Sequence, residues 1–235
     1  MPRIRKEHNV RRDELLDLAW ELFTEVGYEE ASVQEIVDRA NIAKGTFYHY
    51  FKSKEELLEA VLNRTVEHNL PTLEALVSNS ALNAIDKLNR LLAVAAQWRI
   101  RNAHLVRNVL ARMFSSENLR LRHGMYSKNQ EMAAPLLAAI LEQGQHEGVF
   151  DTDDPEGSAE MMLQLGFQMG ELNAAELLAG RTPETTIERM VLRYTRYCRG
   201  LERLAGAPRD SIQLPGKRII EEIVRAGSGY RRPES

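Results

Sequence analysis

Apolar residues recur along this chain at intervals of three and four and nowhere alternate strictly with polar ones. The pattern predicts helix almost throughout and an all-α fold. The first amphipathic stretch covers 11–26, with Leu15, Ala19, Leu22, Phe23 and Val26 on one face and Gly27 as its stop. Ser32, followed three residues later by Glu35, predicts a capping box and a short helix that turns Ile36, Val37 and Ala40 inward. Asn41 tolerates the left-handed conformation that a tight turn needs, and a further helix is predicted over 44–51. Ser53 and Glu56 repeat the capping-box pattern and open a helix through Leu57, Leu58, Val61 and Leu62 that should end before Pro71.

A second region starts near residue 72. Helices are predicted over 81–96, 100–114 and 128–146, and Pro135 should kink or split the last of these before Gly148 ends it. Asp154 and Pro155 supply an N-cap and a first-turn proline for a helix reaching Leu178, stopped by Gly180. Thr182 and Pro183 start another that runs to about Leu204. Beyond Gly206 the chain is punctuated by proline and glycine and holds one short amphipathic segment (Ile219, Ile220, Ile223, Val224) suited to packing on the body.

Composition narrows the classes. With 235 residues, 43% hydrophobic and 28% charged, the chain can bury a sizeable core. No run approaches the ~18 apolar residues of a membrane span, and no apolar stretch follows the basic N-terminus as in a signal peptide, so a cytoplasmic protein without a membrane partner is expected. Cys198 is the single cysteine and is expected to pack as a small hydrophobe. His8, His68, His104, His123 and His146 fall at no metal-ligand spacing. No Gly-rich phosphate loop, nucleophile elbow or paired-carboxylate arrangement stands out, so no metal, no cofactor and no enzymatic activity are expected.

The net charge of −3 conceals a local excess of positive charge. Residues 1–12 carry Arg3, Arg5, Lys6, Arg11 and Arg12 against Glu7 alone, and 39–54 carry Arg39, Lys44, Lys52 and Lys54 with no acid. The two short helices around Asn41 have the layout of a helix-turn-helix over Ser32 to Phe51, in which the second helix enters the DNA major groove. Phe47, Tyr50 and Phe51 can anchor that helix inward, leaving Lys44, Gly45, Thr46, Tyr48 and His49 to face out. Lys44 and Thr46 can reach base edges and Tyr48 and His49 can bond phosphates. Gly45 leaves room for close approach. Ser32 and Lys54 stand at helix N-termini, whose amides and dipole attract phosphate.

The stretch from Ala19 to Leu58, above all the run Ala43-Lys44-Gly45-Thr46-Phe47-Tyr48-His49-Tyr50-Phe51-Lys52-Ser53-Lys54-Glu55-Glu56-Leu57, resembles the DNA-binding domain of the TetR/AcrR regulators. It departs from that pattern at Asn41, where the family usually has glycine, and at Ala43, where a serine often caps the recognition helix. The resemblance implies DNA contacts at Lys44, Thr46, Tyr48, His49 and Lys54, and a C-terminal domain that dimerises and holds a small molecule. Three parts are expected: a DNA-binding domain over 1–53, a helical effector-binding and dimerisation domain over 54–206, and a C-terminal extension over 207–235.

The function expected is a transcriptional repressor released from a palindromic double-stranded operator by a small-molecule effector. The alternative is a DNA-binding regulator controlled by a protein partner or by dimerisation alone. A homodimer is expected through the last two long helices. The residues concerned are Ala159, Met162, Leu165, Gly166, Met169, Gly170 and Leu172 on one, and Ile187, Val191, Tyr194, Cys198 and Leu201 on the other. A largely apolar effector pocket is expected around Trp98, Arg101, His104, Met113, Phe114, Met125, Tyr126, Met132 and Phe167.

Overall fold

The computed structural model describes residues 2–101, 119–213 and 217–228. They form only helices and connecting turns: α1 (Pro2–Glu25), α2 (Val33–Arg39), α3 (Lys44–Tyr50), α4 (Lys54–Val77), α5 (Ala84–Arg101), α6 (Leu119–His146), α7 (Pro155–Leu178), α8 (Pro183–Ala205) and α9 (Lys217–Ser228). The all-α expectation holds, but four helices run past the ends their patterns suggest, among them α5, which continues to Arg101 where the pattern stops at 96. α1 begins at Pro2, so Arg3, Arg5 and Lys6 lie in its first turns. α4 continues past Pro71 to Val77, and α6 starts at Leu119 and runs through Pro135 unbroken. Each proline removes one backbone donor at an exposed position, and Val77 and Leu137 beyond them pack into the body. The segment predicted as helix over 100–114 lies mostly outside the described residues.

The amino-terminal core joins α1 to the first turns of α4. Leu15, Leu22 and Phe23 of α1 pack with Ile36 and Val37 of α2, Phe47 of α3, and Leu57, Leu58 and Val61 of α4. Leucine or phenylalanine buried in such a core contributes roughly 1.5–3 kcal/mol each. Arg64 of α4 closes the same contact from outside, donating to the Asp13 carbonyl at 3.0 Å and pairing with Asp17 at 2.6 Å.

α4 then reaches the body, where a polar clamp fixes its far end. Lys87 is buried and donates to the Val77 carbonyl and to Gln143 Oε1 at 2.6 Å. Gln143 Nε2 donates to the Leu82 carbonyl at 3.0 Å, and Glu147 accepts from the Ala84 amide at 2.8 Å. That backbone bond, with a second from Gln143, holds the Glu147 carboxyl below the ordinary carboxylate range. The end of α4, the start of α5 and the end of α6 are therefore one hydrogen-bonded unit.

α7 packs on α6 and on α8, and α9 folds back over α8 and α5. Ile220 and Val224 of α9 are buried with Met169, Ile187, Met190 and Tyr194, as the periodicity of the extension predicts. Asn89 of α5 grips the segment that leads into α9, donating to the Ser211 carbonyl at 2.9 Å and accepting from the Gln213 amide at 2.7 Å. At the end of the α7–α8 hairpin, Glu176 is buried and pairs with Arg189 at 2.8 Å, Arg181 at 3.0 Å and Arg193 at 3.5 Å. Burial works to raise its carboxyl, but the hydrogen bond and charge of Arg189, with Arg181 and Arg193, outweigh it and hold the group below its ordinary range. Its stabilisation is fully present above that range and is lost as pH falls below it through the group's lowered value in the folded chain.

α8 ends at Gly206, which adopts φ +61° and lies against the Asp151 backbone, where a Cβ would overlap the Asp151 carbonyl. A left-handed conformation costs a residue with a side chain roughly 1–2 kcal/mol before any clash is counted. Gly206→Ala is expected to lower the melting temperature by about 2–8 °C or more. Gly180→Ala has a similar φ of +66° but open space at the Cβ, so it should fall less. Equal losses in calorimetry would show that the Asp151 contact does not matter.

Candidate nucleic-acid interface

α3 is held from behind by two rings. Phe47 and Phe51 are buried in the amino-terminal core with centroids 6.0 Å apart, and Tyr50 is half-buried beside them. Four-residue spacing puts both phenylalanines on one helix face, so the opposite face is left outward. Lys44, Gly45, Tyr48 and His49 are exposed there and Thr46 is half-buried. Tyr48 is 48% exposed and stands edge-on to Phe47 at 5.4 Å, which sets its ring direction. A Cβ on Gly45 would meet nothing within 4 Å. Glycine in a helix costs about 1 kcal/mol relative to alanine, and no neighbour among the described residues calls for it here.

The turn ahead of α3 is built as its residues predict. Ser32 Oγ accepts from the Glu35 amide at 3.0 Å and Glu35 accepts from the Ser32 amide at 3.3 Å, completing the capping box. Asn41 takes φ +49°, and Ile42 beside it packs against the core. Ala43 gives α3 no side-chain cap. At the start of α4, Ser53 Oγ accepts from the Glu56 amide at 3.2 Å, but Glu56 reaches one residue further back and accepts from the Lys52 amide at 2.6 Å.

Lys54 is placed differently from the phosphate-facing position expected of it. Its ammonium turns inward onto the α1–α2 loop, 2.7 Å from the carbonyls of Tyr28 and Ala31. A long side chain at a helix start has several directions open, and here the loop carbonyls supply the nearest acceptors. Arg39 pairs with Glu25 at 2.8 Å, which leaves Lys44 and Lys52 as the cations of the 39–54 run without an ion pair among the described residues. The sequence pattern did not single out His8 for this site. Its ring lies 4.5 Å from Tyr50 and 5.7 Å from His49, alongside the end of α3. The signal for it was the upstream extension of α1, which carries no apolar stripe of its own.

Of the residues expected to line a dimer face, Met162, Met169, Ile187, Tyr194 and Leu201 are buried inside the chain, where they hold α7, α8 and α9 together. They have no area left to offer a second copy. Ala159 is buried with them, and Val191 and Cys198 are half-buried against the same clusters. Gly166 also serves the subunit, since a Cβ there would meet the Tyr197 hydroxyl at 2.7 Å, while Gly170 faces open space. The outward apolar side chains of these helices are Met161, Leu165, Leu172 and Leu178 on α7 and Leu192 on α8, each 43–55% exposed.

Among the expected effector residues, Tyr126 of α6 and Phe167 of α7 meet edge-to-face at 5.3 Å, and Met132 is half-buried on α6. The side chains of Trp98 and Arg101, with His104, Met113, Phe114 and Met125, lie outside the described residues. A groove of about 490 Å³ on α9, lined by Arg218, Glu221, Glu222 and Arg225, contains none of them. Among the described residues no cluster of metal-binding side chains occurs, and no helix is long and apolar enough to cross a membrane.

Residues 15–61 match the family model described as bacterial regulatory proteins, tetR family. The HTH-type transcriptional repressor KstR2 of Rhodococcus jostii (strain RHA1) is 31% identical over 157 residues, covering 61% of this chain and 69% of that protein. In fold, the chain is similar to Thermus thermophilus FadR, a TetR-family transcriptional repressor solved in complex with lauroyl-CoA. The TM-score is 0.60 at 22% identity, over 81% of this chain and 94% of that one. It is also similar to RolR in complex with resorcinol, with TM-score 0.64 at 16% identity over 98% of both chains.

Proposed function

Because the chain belongs to the TetR family of bacterial regulatory proteins and is a DNA-binding transcriptional regulator, we propose that it acts as a homodimeric repressor that a small-molecule effector releases from a palindromic operator. The observation that carries the DNA reading is the outward row of α3, fixed from behind by buried Phe47 and Phe51. In this reading Lys44 and Thr46 contact base edges, Tyr48 and His49 contact phosphates, and Ser32 brings the start of α2 to the backbone. Gly45 lets α3 lie close in the groove, which accounts for a helix glycine that no internal contact requires.

The second copy packs on the outward side chains of α7 and α8, among them Met161, Leu165, Leu172 and Leu192, with open Gly170 allowing close approach. Two-fold symmetry then presents two copies of α3 to half-sites about one DNA turn apart. Tyr126, Met132 and Phe167 form part of the wall of a largely apolar effector pocket. The ligands of the two neighbours, lauroyl-CoA and resorcinol, support an effector with an apolar or aromatic body and a polar end.

Release requires the effector to favour the DNA-incompetent arrangement, and operator DNA must then weaken effector binding by the same factor. The test begins with selection of duplexes from a randomised pool by the full chain. An inverted repeat is expected, bound with an affinity that falls steeply with salt. Compounds that release it are then titrated with and without the duplex. No enriched duplex would defeat the DNA reading, and equal compound affinities would defeat ligand-driven release.

A further inference from the structure

We infer that Lys54 is a positioning residue that locks the start of α4 to the loop ahead of α2, and so fixes the helix-turn-helix on α4, in place of contacting a phosphate. This rests on the DNA-binding reading above. Lys54 Nζ lies 2.7 Å from the Tyr28 carbonyl, 2.7 Å from the Ala31 carbonyl and 3.3 Å from the Glu29 carbonyl. It also stands 4.3 Å from the centroid of the Tyr28 ring. An ammonium has three protons, and three carbonyls converge on it while the ring face adds a cation–π attraction. Swinging the side chain out to a phosphate would leave those carbonyls without their charged donor.

The cradle sits at a mechanical junction. Tyr28 is buried against Phe23, with ring centroids 5.2 Å apart, so one wall of the cradle belongs to the core. Ala31 immediately precedes Ser32, the residue that caps α2, so the other wall leads straight into the helix-turn-helix. A cation anchored in α4 and gripping both walls ties the angle of α2, and through it α3, to the axis of α4. The cradle suits a point charge. A guanidinium is a planar fork and cannot direct three protons from one atom to three surrounding oxygens.

That difference gives a test with opposite expectations. Full-length wild type, Lys54→Met and Lys54→Arg are compared on an operator duplex selected by the wild type and on a duplex of unrelated sequence. Both variants are expected to bind the operator ten- to a hundredfold more weakly and the unrelated duplex much less so. The slope of log affinity against log salt should stay unchanged. A phosphate contact would instead leave Lys54→Arg near wild-type affinity and would lower the slope of Lys54→Met by about 0.9 for each phosphate no longer neutralised. That result would overturn the inference. Amide exchange in DNA-free protein supplies a second readout, since the Ala31 amide is bonded to the Gly27 carbonyl at 3.1 Å and the Glu35 amide to Ser32. Both amides should exchange faster in both variants, and unchanged exchange overturns the inference. Selection of no duplex would count against the DNA-binding reading, while exchange would still decide the role of Lys54. Should Lys54→Met fail to fold, Lys54→Arg carries the same comparison.

Discussion

Replacing Tyr48 and His49 together with alanine is expected to weaken operator binding by a factor of roughly 10³ while moving the melting temperature by no more than about two degrees. Each side chain is exposed on the outer row of α3, so the free protein loses little when they are cut back. Among the described residues Tyr48 stands edge-on to the Phe47 ring, and His49 meets the rings of Tyr50 and His8. On DNA the balance differs. A hydrogen bond to a charged phosphate contributes roughly 1.5–3 kcal/mol, and in a dimer each such bond is removed twice. Even at about 1 kcal/mol each, four bonds come to about 4 kcal/mol, which is close to three powers of ten in affinity. Fluorescence anisotropy on a selected duplex at fixed salt measures this directly. A double variant that still binds at full affinity would remove α3 from the interface.

The second large effect concerns assembly. Leu165→Glu combined with Leu172→Glu is expected to turn the dimer into a folded monomer at micromolar concentration and to abolish high-affinity operator binding with it. Both leucines are more than 40% exposed in the subunit, so charge there is tolerated by the isolated chain. In a two-fold contact each would be buried twice. Each is already more than half covered in the subunit, so four leucines at roughly half of the 1.5–3 kcal/mol for full burial sum to about 3–6 kcal/mol before the cost of desolvating carboxylates is added. Sedimentation velocity reads the mass and circular dichroism the helicity. A variant that still sediments as a dimer would show that the second copy packs elsewhere.

The amino-terminal region was the most legible part of the sequence because its signals are local. Ser32 with Glu35, the left-handed Asn41 and the four-residue interval between Phe47 and Phe51 each act over a single turn, and the structure forms each of them. Helix ends were less legible. A proline rule counts the missing hydrogen bond at Pro71 or Pro135, whereas the continuation of α4 and α6 is decided by packing partners such as Val77 and Leu137, distant in sequence from what they touch. Residue type at position 54 announced a cation without saying which acceptors its flexible stem would find. On α7 the apolar residues surround the helix, so periodicity could not tell Met162, which faces the subunit, from Met161, which faces away.

The packing of Met162, Met169, Tyr194 and Leu201 within one chain bears on how occupancy follows expression. A subunit that closes its own core does not need its mate in order to fold, so pairing becomes a separate, dilution-sensitive equilibrium. Below the pairing constant, the number of occupied operators grows with the square of the subunit concentration, and above it in simple proportion. While most operators are free, halving the subunit concentration would therefore lower operator occupancy fourfold in the first regime and twofold in the second, with no effector present.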